Sequence, residues 1–242
     1  MSRLTESYVR DAALKWLKCH YREAQHTEAV LARTEVCVKG GRARADGLVV
    51  SVPGDASVFT ASLEAKSSKT ILNVFATQAG KTGVWLWHAA IAGTLGLILA
   101  GHYGQRSGSW FLVWVFPVLV FVLVALAFLV LTYKCPYYRT VDVIDQVKLY
   151  PANERWIAVS TDAYNRSVAR DDALRRRCQK EGIGLLRVST REAVTPLCSP
   201  RPVTPSRGQP DFLARYAREK RIRKDLKDKA ESSGSQPEVS LD

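Results

Sequence analysis

Several signatures of common enzyme classes are absent from this sequence. It contains no glycine-rich phosphate loop, no serine nucleophile elbow and no HExxH zinc motif. No two of its cysteines form a CxxC pair, which argues against a zinc ribbon and against a disulfide scaffold. Their number is odd, which is typical of reduced thiols in an intracellular protein. They are Cys19, Cys37, Cys135, Cys178 and Cys198.

Negative charge is scarce relative to positive charge. The chain has 23 acidic residues against 35 Lys and Arg, which gives a formal net charge of +12. Such an excess favours attraction to nucleic acid or to anionic lipid. Alternatively, the cations flank membrane segments and coat a solvated tail. Composition alone leaves both interpretations open.

Charge is missing altogether from two long stretches in the middle of the chain. Residues 84–103 and 110–133 contain no Lys, Arg, Asp or Glu. About 20 apolar residues cross a bilayer as a helix, so the two stretches predict a transmembrane hairpin. More cations flank the hairpin than lie in its loop, residues 104–109. The positive-inside rule therefore predicts an integral protein of the plasma or inner membrane, with both termini in the cytoplasm.

The remaining segments carry the patterns of a small α/β domain. Apolar residues at helical spacing predict helices over 5–20, 140–150 and 162–181. Runs rich in β-branched residues, bounded by turn signals, predict strands over 29–38, 42–52, 58–66, 156–160 and 183–188. This order predicts a mixed sheet flanked by helices.

The hairpin divides this domain in the sequence. Residues 1–82 form its first half, residues 83–134 the hairpin and residues 135–195 its second half. Residues 196–242 are predicted to be a Pro/Ser-rich linker followed by a charged, partly helical tail. The two halves must associate on the cytoplasmic side to complete one fold.

A small group of charged residues points to metal-assisted chemistry. Residues 58–66 alternate like a strand, so Glu64 and Lys66 project from one face while Leu63 and Ala65 project from the other. Asp46 comes from the neighbouring predicted strand. Two carboxylates and a lysine on adjacent strands can hold a hard divalent cation over a phosphate.

The ordered set of these residues resembles the PD-(D/E)xK nuclease superfamily, also called restriction-endonuclease-like. The matching residues are Asp46, then Glu64-Ala65-Lys66, preceded by a helix that carries Glu6. The run from Gln146 to Tyr150 is similar to the QxxxY element of the RecB-type branch. The resemblance covers residues 4–188 apart from the hairpin. Ala45 stands where the family usually has a proline before the first aspartate.

The resemblance implies a restriction-endonuclease-like α/β fold, here interrupted by a two-helix transmembrane hairpin. It implies a nuclease that hydrolyses phosphodiester bonds, with DNA as the expected substrate and Mg²⁺ or Mn²⁺ as the cofactor. The metal ligands would be Asp46, Glu64 and Glu6. Lys66 would stabilise charge on the phosphate, and Gln146 and Tyr150 would position metal or backbone.

Other interpretations of the same residues remain open at this point. Glu64 and Lys66 also suit a surface ion pair, Asp46 a turn, and Glu6 the first turn of a helix. The protein could be an inactive nuclease-fold module that binds nucleic acid or a partner. It could also be a membrane scaffold whose basic tail lies on anionic lipid. A homo-oligomer is compatible with each interpretation.

Overall fold

The computed structural model describes most of the chain. The described residues are 4–41, 43–52, 58–70, 74, 76–77, 82–108, 110–133, 140–170, 172–191, 193–205 and 211–234. Part of the predicted linker, residues 206–210, and the end of the predicted tail, residues 235–242, lie outside them. The chain divides into two compact units, one built from Met1–Phe75 with Val141–Asp242 and the other from Ala76–Thr140.

The predicted elements appear in the predicted order, together with three further strands. The helices are α1 (Glu6–Ala24), α2 (Thr82–Ser107), α3 (Trp110–Thr132), α4 (Asp142–Lys148), α5 (Thr161–Arg170), α6 (Ala173–Glu181) and α7 (Glu219–Gly234). The strands are β1 (Val30–Cys37), β2 (Arg44–Ser51), β3 (Phe59–Lys66), β4 (Ala76–Thr77), β5 (Thr140–Val141), β6 (Glu154–Ser160), β7 (Gly184–Val188) and β8 (Val194–Cys198).

Six strands form one mixed sheet in the order β1-β2-β3-β6-β7-β8. The pairs β1–β2, β2–β3 and β7–β8 are antiparallel, whereas β6 pairs in parallel with both β3 and β7. The short strands β4 and β5 form a separate two-stranded sheet. The structure thus confirms an α/β fold with a mixed sheet flanked by helices.

Helix α1 covers one face of this sheet. Thr5 caps its first turn by accepting a hydrogen bond from the Tyr8 N–H at 3.3 Å, as the Ser/Thr preference at helix starts predicts. Its apolar stripe packs on the odd-numbered residues of β3, which are Ala61, Leu63 and Ala65. The even-numbered residues of β3 therefore face the opposite side, as the strand alternation predicts.

Gly47 lies inside β2 and not in a turn. A Cβ placed there would lie 2.6 Å from Leu14 Cδ2 of α1, so only glycine allows α1 to approach the sheet this closely. Gly47 therefore does not mark a turn beside Asp46, and Asp46 is held in a regular strand.

The C-terminal segment covers the other face of the sheet. It contains the helix expected in the charged tail, whereas the segment predicted as a linker begins within a strand. Strand β8 runs through Cys198 with Pro196 inside it, which an edge strand tolerates. A 3₁₀ turn at Leu213–Arg215 and helix α7 then pack on β1 and β2. The buried side chains of this second core are Val36, Leu48, Val50, Leu213, Tyr216, Ile222 and Leu226.

The helix predicted over 162–181 is two helices in the structure. Helix α5 ends at Arg170 and α6 begins at Ala173. Asp172 between them has a φ of 47°, a left-handed conformation that Asp tolerates better than most residues. A continuous run of charged and apolar residues carries no signal for such a break.

The second unit contains the two apolar helices α2 and α3. Both are long and apolar enough to span a membrane, over Thr82–Arg106 and Trp114–Thr132. They pack closely because Gly93 lies against the Phe121 ring, where a Cβ would be 2.8 Å from the ring carbons. Trp85 also donates a hydrogen bond to Thr132 Oγ1 at 2.8 Å. Helix α2 reaches Ser107, so the connection is shorter than predicted.

Candidate active site

The six residues singled out in the sequence line one cleft of the α/β unit. The cleft has a volume of about 390 Å³ and opens to solvent. Its lining comprises Glu6, Ala43, Arg44, Asp46, Glu64, Lys66, Gln146, Leu149 and Tyr150. Residues from both sides of the hairpin in the sequence therefore meet at one place.

Asp46 lies where β2 and β3 separate. The last backbone pair between these strands is Gly47 with Leu63. Beyond it, Asp46 Oδ2 accepts a hydrogen bond from the Ala65 N–H at 2.9 Å. The carboxylate thus takes the place of a strand carbonyl, and this bond fixes its orientation beside Glu64.

Glu64 and Lys66 form a buried ion pair on the face opposite α1. Lys66 Nζ donates a hydrogen bond to Glu64 Oε1 at 2.6 Å, and only 1% of the Glu64 side chain and 7% of the Lys66 side chain are exposed. This burial contradicts the interpretation as a solvated surface pair. Because burying two charges is costly, such a pair is weak evidence for stability and better evidence for a functional site.

Tyr150 and Gln146 hold the second oxygen of Glu64. Tyr150 Oη lies 2.7 Å from Glu64 Oε2 and 3.0 Å from the Arg44 carbonyl, and Gln146 Nε2 donates to Tyr150 Oη at 3.1 Å. The hydroxyl carries one proton, which the shorter distance and the carboxylate charge direct to Glu64. Helix α4 ends at Lys148, earlier than predicted, because Pro151 disfavours helical geometry at Tyr150.

Glu6 lies at the rim of the cleft. Its Oε1 is 3.9 Å from Lys66 Nζ, and its Oε2 accepts a hydrogen bond from Thr70 Oγ1 at 3.1 Å. More than a third of its side chain is exposed. Glu6 therefore combines its place in the first turn of α1 with a position beside the buried pair.

The electrostatics of the cleft centre on Glu64. Burial raises the pKa of the Glu64 carboxyl, and the charge of Asp46 raises it further, whereas Lys66 and Tyr150 oppose the shift. Burial also raises the pKa of the Tyr150 hydroxyl, so this phenol keeps its proton and remains a donor. The effect of Asp46 on Glu64 means that their two carboxylates are close enough to repel each other. A cation between them would relieve that repulsion.

The residues present fit a magnesium-type ion. Among the described residues, no three His, Cys, Asp or Glu side chains are grouped closely enough to enclose a metal by themselves. Mg²⁺ does not require such an enclosure, because one or two carboxylates, several waters and substrate phosphates usually complete its shell. Asp46 and Glu64 would hold it, since each ionised carboxylate has lone pairs left after the hydrogen bonds described above. Glu6 lies within the same cleft as a third oxygen donor.

Two contributors to the cleft escaped the sequence analysis. Arg44 lines the cleft, presents its carbonyl to Tyr150 and places its guanidinium 3.7 Å from Glu35 Oε2. Thr70 orients Glu6 through its hydroxyl. Neither belongs to a motif, so only the tertiary structure brings them to the site.

Comparison with family models, with curated proteins and with solved structures finds no match to this chain.

Proposed function

We propose that this chain is a membrane-anchored, metal-dependent nuclease that hydrolyses phosphodiester bonds, with DNA as its substrate. The observation that carries the proposal is the meeting of Asp46, Glu64 and Lys66 in one polar cleft, with Tyr150 and Gln146 fixing the buried acid. The order of elements, helix, three-stranded meander, helix and parallel strand, is the one expected of a restriction-endonuclease-like fold.

Each residue has a role that follows from its contacts. Asp46 and Glu64 would hold Mg²⁺ or Mn²⁺, with Glu6 as a further oxygen ligand at the rim. Lys66 would stabilise negative charge on the phosphate, since its buried ammonium acts in a medium of low dielectric constant. Tyr150 and Gln146 would keep Glu64 in one orientation. The bound metal would polarise the phosphate and make a coordinated water more acidic.

The location at a membrane is part of the proposal. Helices α2 and α3 have the length and composition of spans, and the excess of Lys and Arg outside their connection favours a cytoplasmic α/β unit. There the substrate would be nucleic acid of the cytoplasm.

A second candidate is an inactive nuclease-fold module that binds nucleic acid. The observation in its favour is that both oxygens of Glu64 already have protein partners, Lys66 and Tyr150. A cleft of this kind can be complete without a metal. Metal binding therefore separates the two candidates.

The test uses the full chain in detergent micelles with linear duplex DNA and Mg²⁺ or Mn²⁺. We expect cleavage by the wild type and a loss of at least 100-fold in Asp46→Asn and Lys66→Met, the scale on which single electrostatic catalytic groups act. The matched controls are Asp142→Asn and Lys69→Met, which make the same changes at exposed positions. Equal activity in Asp46→Asn and wild type would refute the assignment.

Calorimetric titration with Mn²⁺ decides between the two candidates. The nuclease should bind the ion, and Asp46→Asn should bind it much more weakly. If the wild type binds DNA but neither binds Mn²⁺ nor cleaves, the inactive module is the correct description.

A further inference from the structure

The C-terminal segment is bonded to the free edge of β1. Val38 forms an isolated antiparallel bridge with Tyr216, and two further backbone bonds flank it. The Lys39 N–H donates to the Arg215 carbonyl at 2.7 Å, and the Ala217 N–H donates to the Cys37 carbonyl at 3.0 Å. Residues 215–217 are therefore fixed beside the end of β1 that leads into β2 and the cleft.

Most acidic side chains of this region are bound to particular cations. Glu219 pairs with Lys39 and with Arg223, at 2.9 and 3.1 Å. Asp225 pairs with Arg33. The cations that remain exposed and make no ion pair within the described part of the chain are Arg218, Lys220, Arg221 and Lys224.

Two of these cations border a second, smaller cleft. It measures about 100 Å³ and lies between β1 and α7, with Arg218 and Arg221 on the helix side and Glu35 on the strand side. Glu35 is held between Arg10, at 3.4 Å, and Arg44, at 3.7 Å. Arg44 also lines the candidate active site, so the ion pair between Glu35 and Arg44 links a residue of one cleft to a residue of the other.

The spacing of strands in a sheet sets the distance from the C-terminal segment to the strands that carry the active-site cleft. Neighbouring strands lie about 4.8 Å apart, so the segment at 215–217 lies about 10 Å from β2 and about 15 Å from β3. On B-DNA, where base pairs are spaced by about 3.4 Å, this separation corresponds to three or four base pairs. It suits contact with the backbone that flanks a phosphate held in the active-site cleft.

We propose that Arg218 and Arg221, with Arg44 between them and the active site, bind the phosphate backbone of the nucleic acid on which the cleft acts. This basic track rests on the proposed function, since it assigns the flanking contacts of the same substrate. It gives the C-terminal segment a specific role in substrate binding.

The burial of α7 favours nucleic acid over lipid as the partner. A helix that binds a membrane surface turns its apolar side to the lipid and its cations to the headgroups. Here the apolar side is taken up by the protein, because Ile222 and Leu226 are buried against the sheet. Only the charged side is available, and charge alone is sufficient to contact phosphates.

The test measures binding of the full chain in micelles to a fluorescent 20-base-pair duplex in EDTA, so that cleavage plays no part. Arg218→Gln/Arg221→Gln removes two cations of the track. Arg175→Gln/Lys180→Gln is the matched control, with two exposed cations of α6, which packs on β7 and β8 at the far end of the sheet. Binding is measured over a series of salt concentrations.

We expect the track variant to lose about two phosphate contacts, which lowers the slope of log K against log salt by about 1.8 and weakens binding roughly 30-fold near 0.15 M salt. The control should behave as wild type. Equal losses in both variants, or none in the track variant, would overturn the proposal. A track variant that keeps DNA binding but loses binding to phosphatidylserine vesicles would assign these cations to lipid instead.

The DNA-binding result in EDTA does not depend on whether the proposed nuclease activity is confirmed. Asp46→Asn should bind the duplex in EDTA at least as well as wild type, because it removes a negative charge from the cleft. If the binding test confirms the basic track but neither the wild type nor any variant cleaves DNA, the proposed DNA contacts are correct and the catalytic proposal is wrong.

Discussion

Tyr150 Oη lies 2.7 Å from Glu64 Oε2, and this contact joins the segment that follows helix α4 to strand β3, although the second unit separates the two in the sequence. The donor follows the apolar hairpin and the acceptor precedes it. A buried carboxylate bound on one side by Lys66 and on the other by a tyrosine has a single orientation. The first prediction concerns this bond.

Tyr150→Phe should lower the free energy of unfolding by about 1.5–3 kcal/mol, the usual contribution of a hydrogen bond to a charged group. The substitution keeps the ring and removes only the donor to Glu64. Denaturant unfolding of the full chain in detergent measures the effect. Tyr164→Phe is the control, because Tyr164 is also buried and its hydroxyl makes no hydrogen bond to the described residues. Equal losses in the two variants would contradict the prediction.

Gly47→Ala should destabilise the protein by about 1–3 kcal/mol through overpacking against α1. The added Cβ would lie 2.6 Å from Leu14 Cδ2, and Leu14 is buried and cannot move aside freely. Leu14→Ala alone should cost about 2–5 kcal/mol. The double variant should lose less stability than the sum of the two single losses, because Leu14→Ala removes the side chain that the added Cβ would strike. Strict additivity in this double-mutant cycle would show that another contact is responsible.

Leu226→Ala should cost about 2–5 kcal/mol, because it empties part of the core between α7 and the sheet. Lys227→Ala on the exposed side of the same helix should stay within about 0.5 kcal/mol of wild type. The comparison is made by denaturant unfolding. If Leu226→Ala is as mild as its neighbour, the C-terminal helix does not contribute to the fold.

A pH dependence is expected from Glu154, at the end of the sheet away from the cleft. Burial raises the pKa of the Glu154 carboxyl, although the hydrogen bond from the Tyr21 hydroxyl and the charge of His20 oppose the shift. The folded state therefore keeps this proton to a higher pH than the unfolded chain does. The resulting stabilisation is complete below the unfolded pKa of about 4.3 and is lost as pH rises through the folded value.

Glu154→Gln should remove this part of the pH profile. The free energy of unfolding of the variant should then fall less steeply than that of wild type above about pH 4.3. Glu23→Gln, which changes an exposed carboxylate of α1, provides the comparison. A Glu154→Gln profile parallel to that of wild type would contradict the assigned linkage.

The sequence predicts part of the cleft from local signals. Strand alternation places Glu64 with Lys66, and helical spacing places Gln146 near Tyr150. Both patterns depend only on positions a few residues apart. The same is true of α1, whose cap at Thr5 and apolar stripe are both visible in the sequence.

Features that depend on distant residues could not be predicted. Arg44 reaches the cleft through its carbonyl, which any residue carries, and Thr70 has no motif. The break at Asp172 depends on one backbone conformation. Strand β8 resembles a linker because it contains Pro196, and the burial of α7 depends on the face of β1 and β2 that it meets.

The parallel pairing of β3 with β6 has a consequence for the order in which the protein is made. Strand β3 ends at Lys66 and β6 begins at Glu154, so β3 is a bare sheet edge while the ribosome synthesises both apolar helices. Tyr150 is also added only after them. A nascent chain that has not completed the hairpin therefore has no finished cleft, so the hydrolysis proposed above would require that both apolar helices have been made and the sheet has closed.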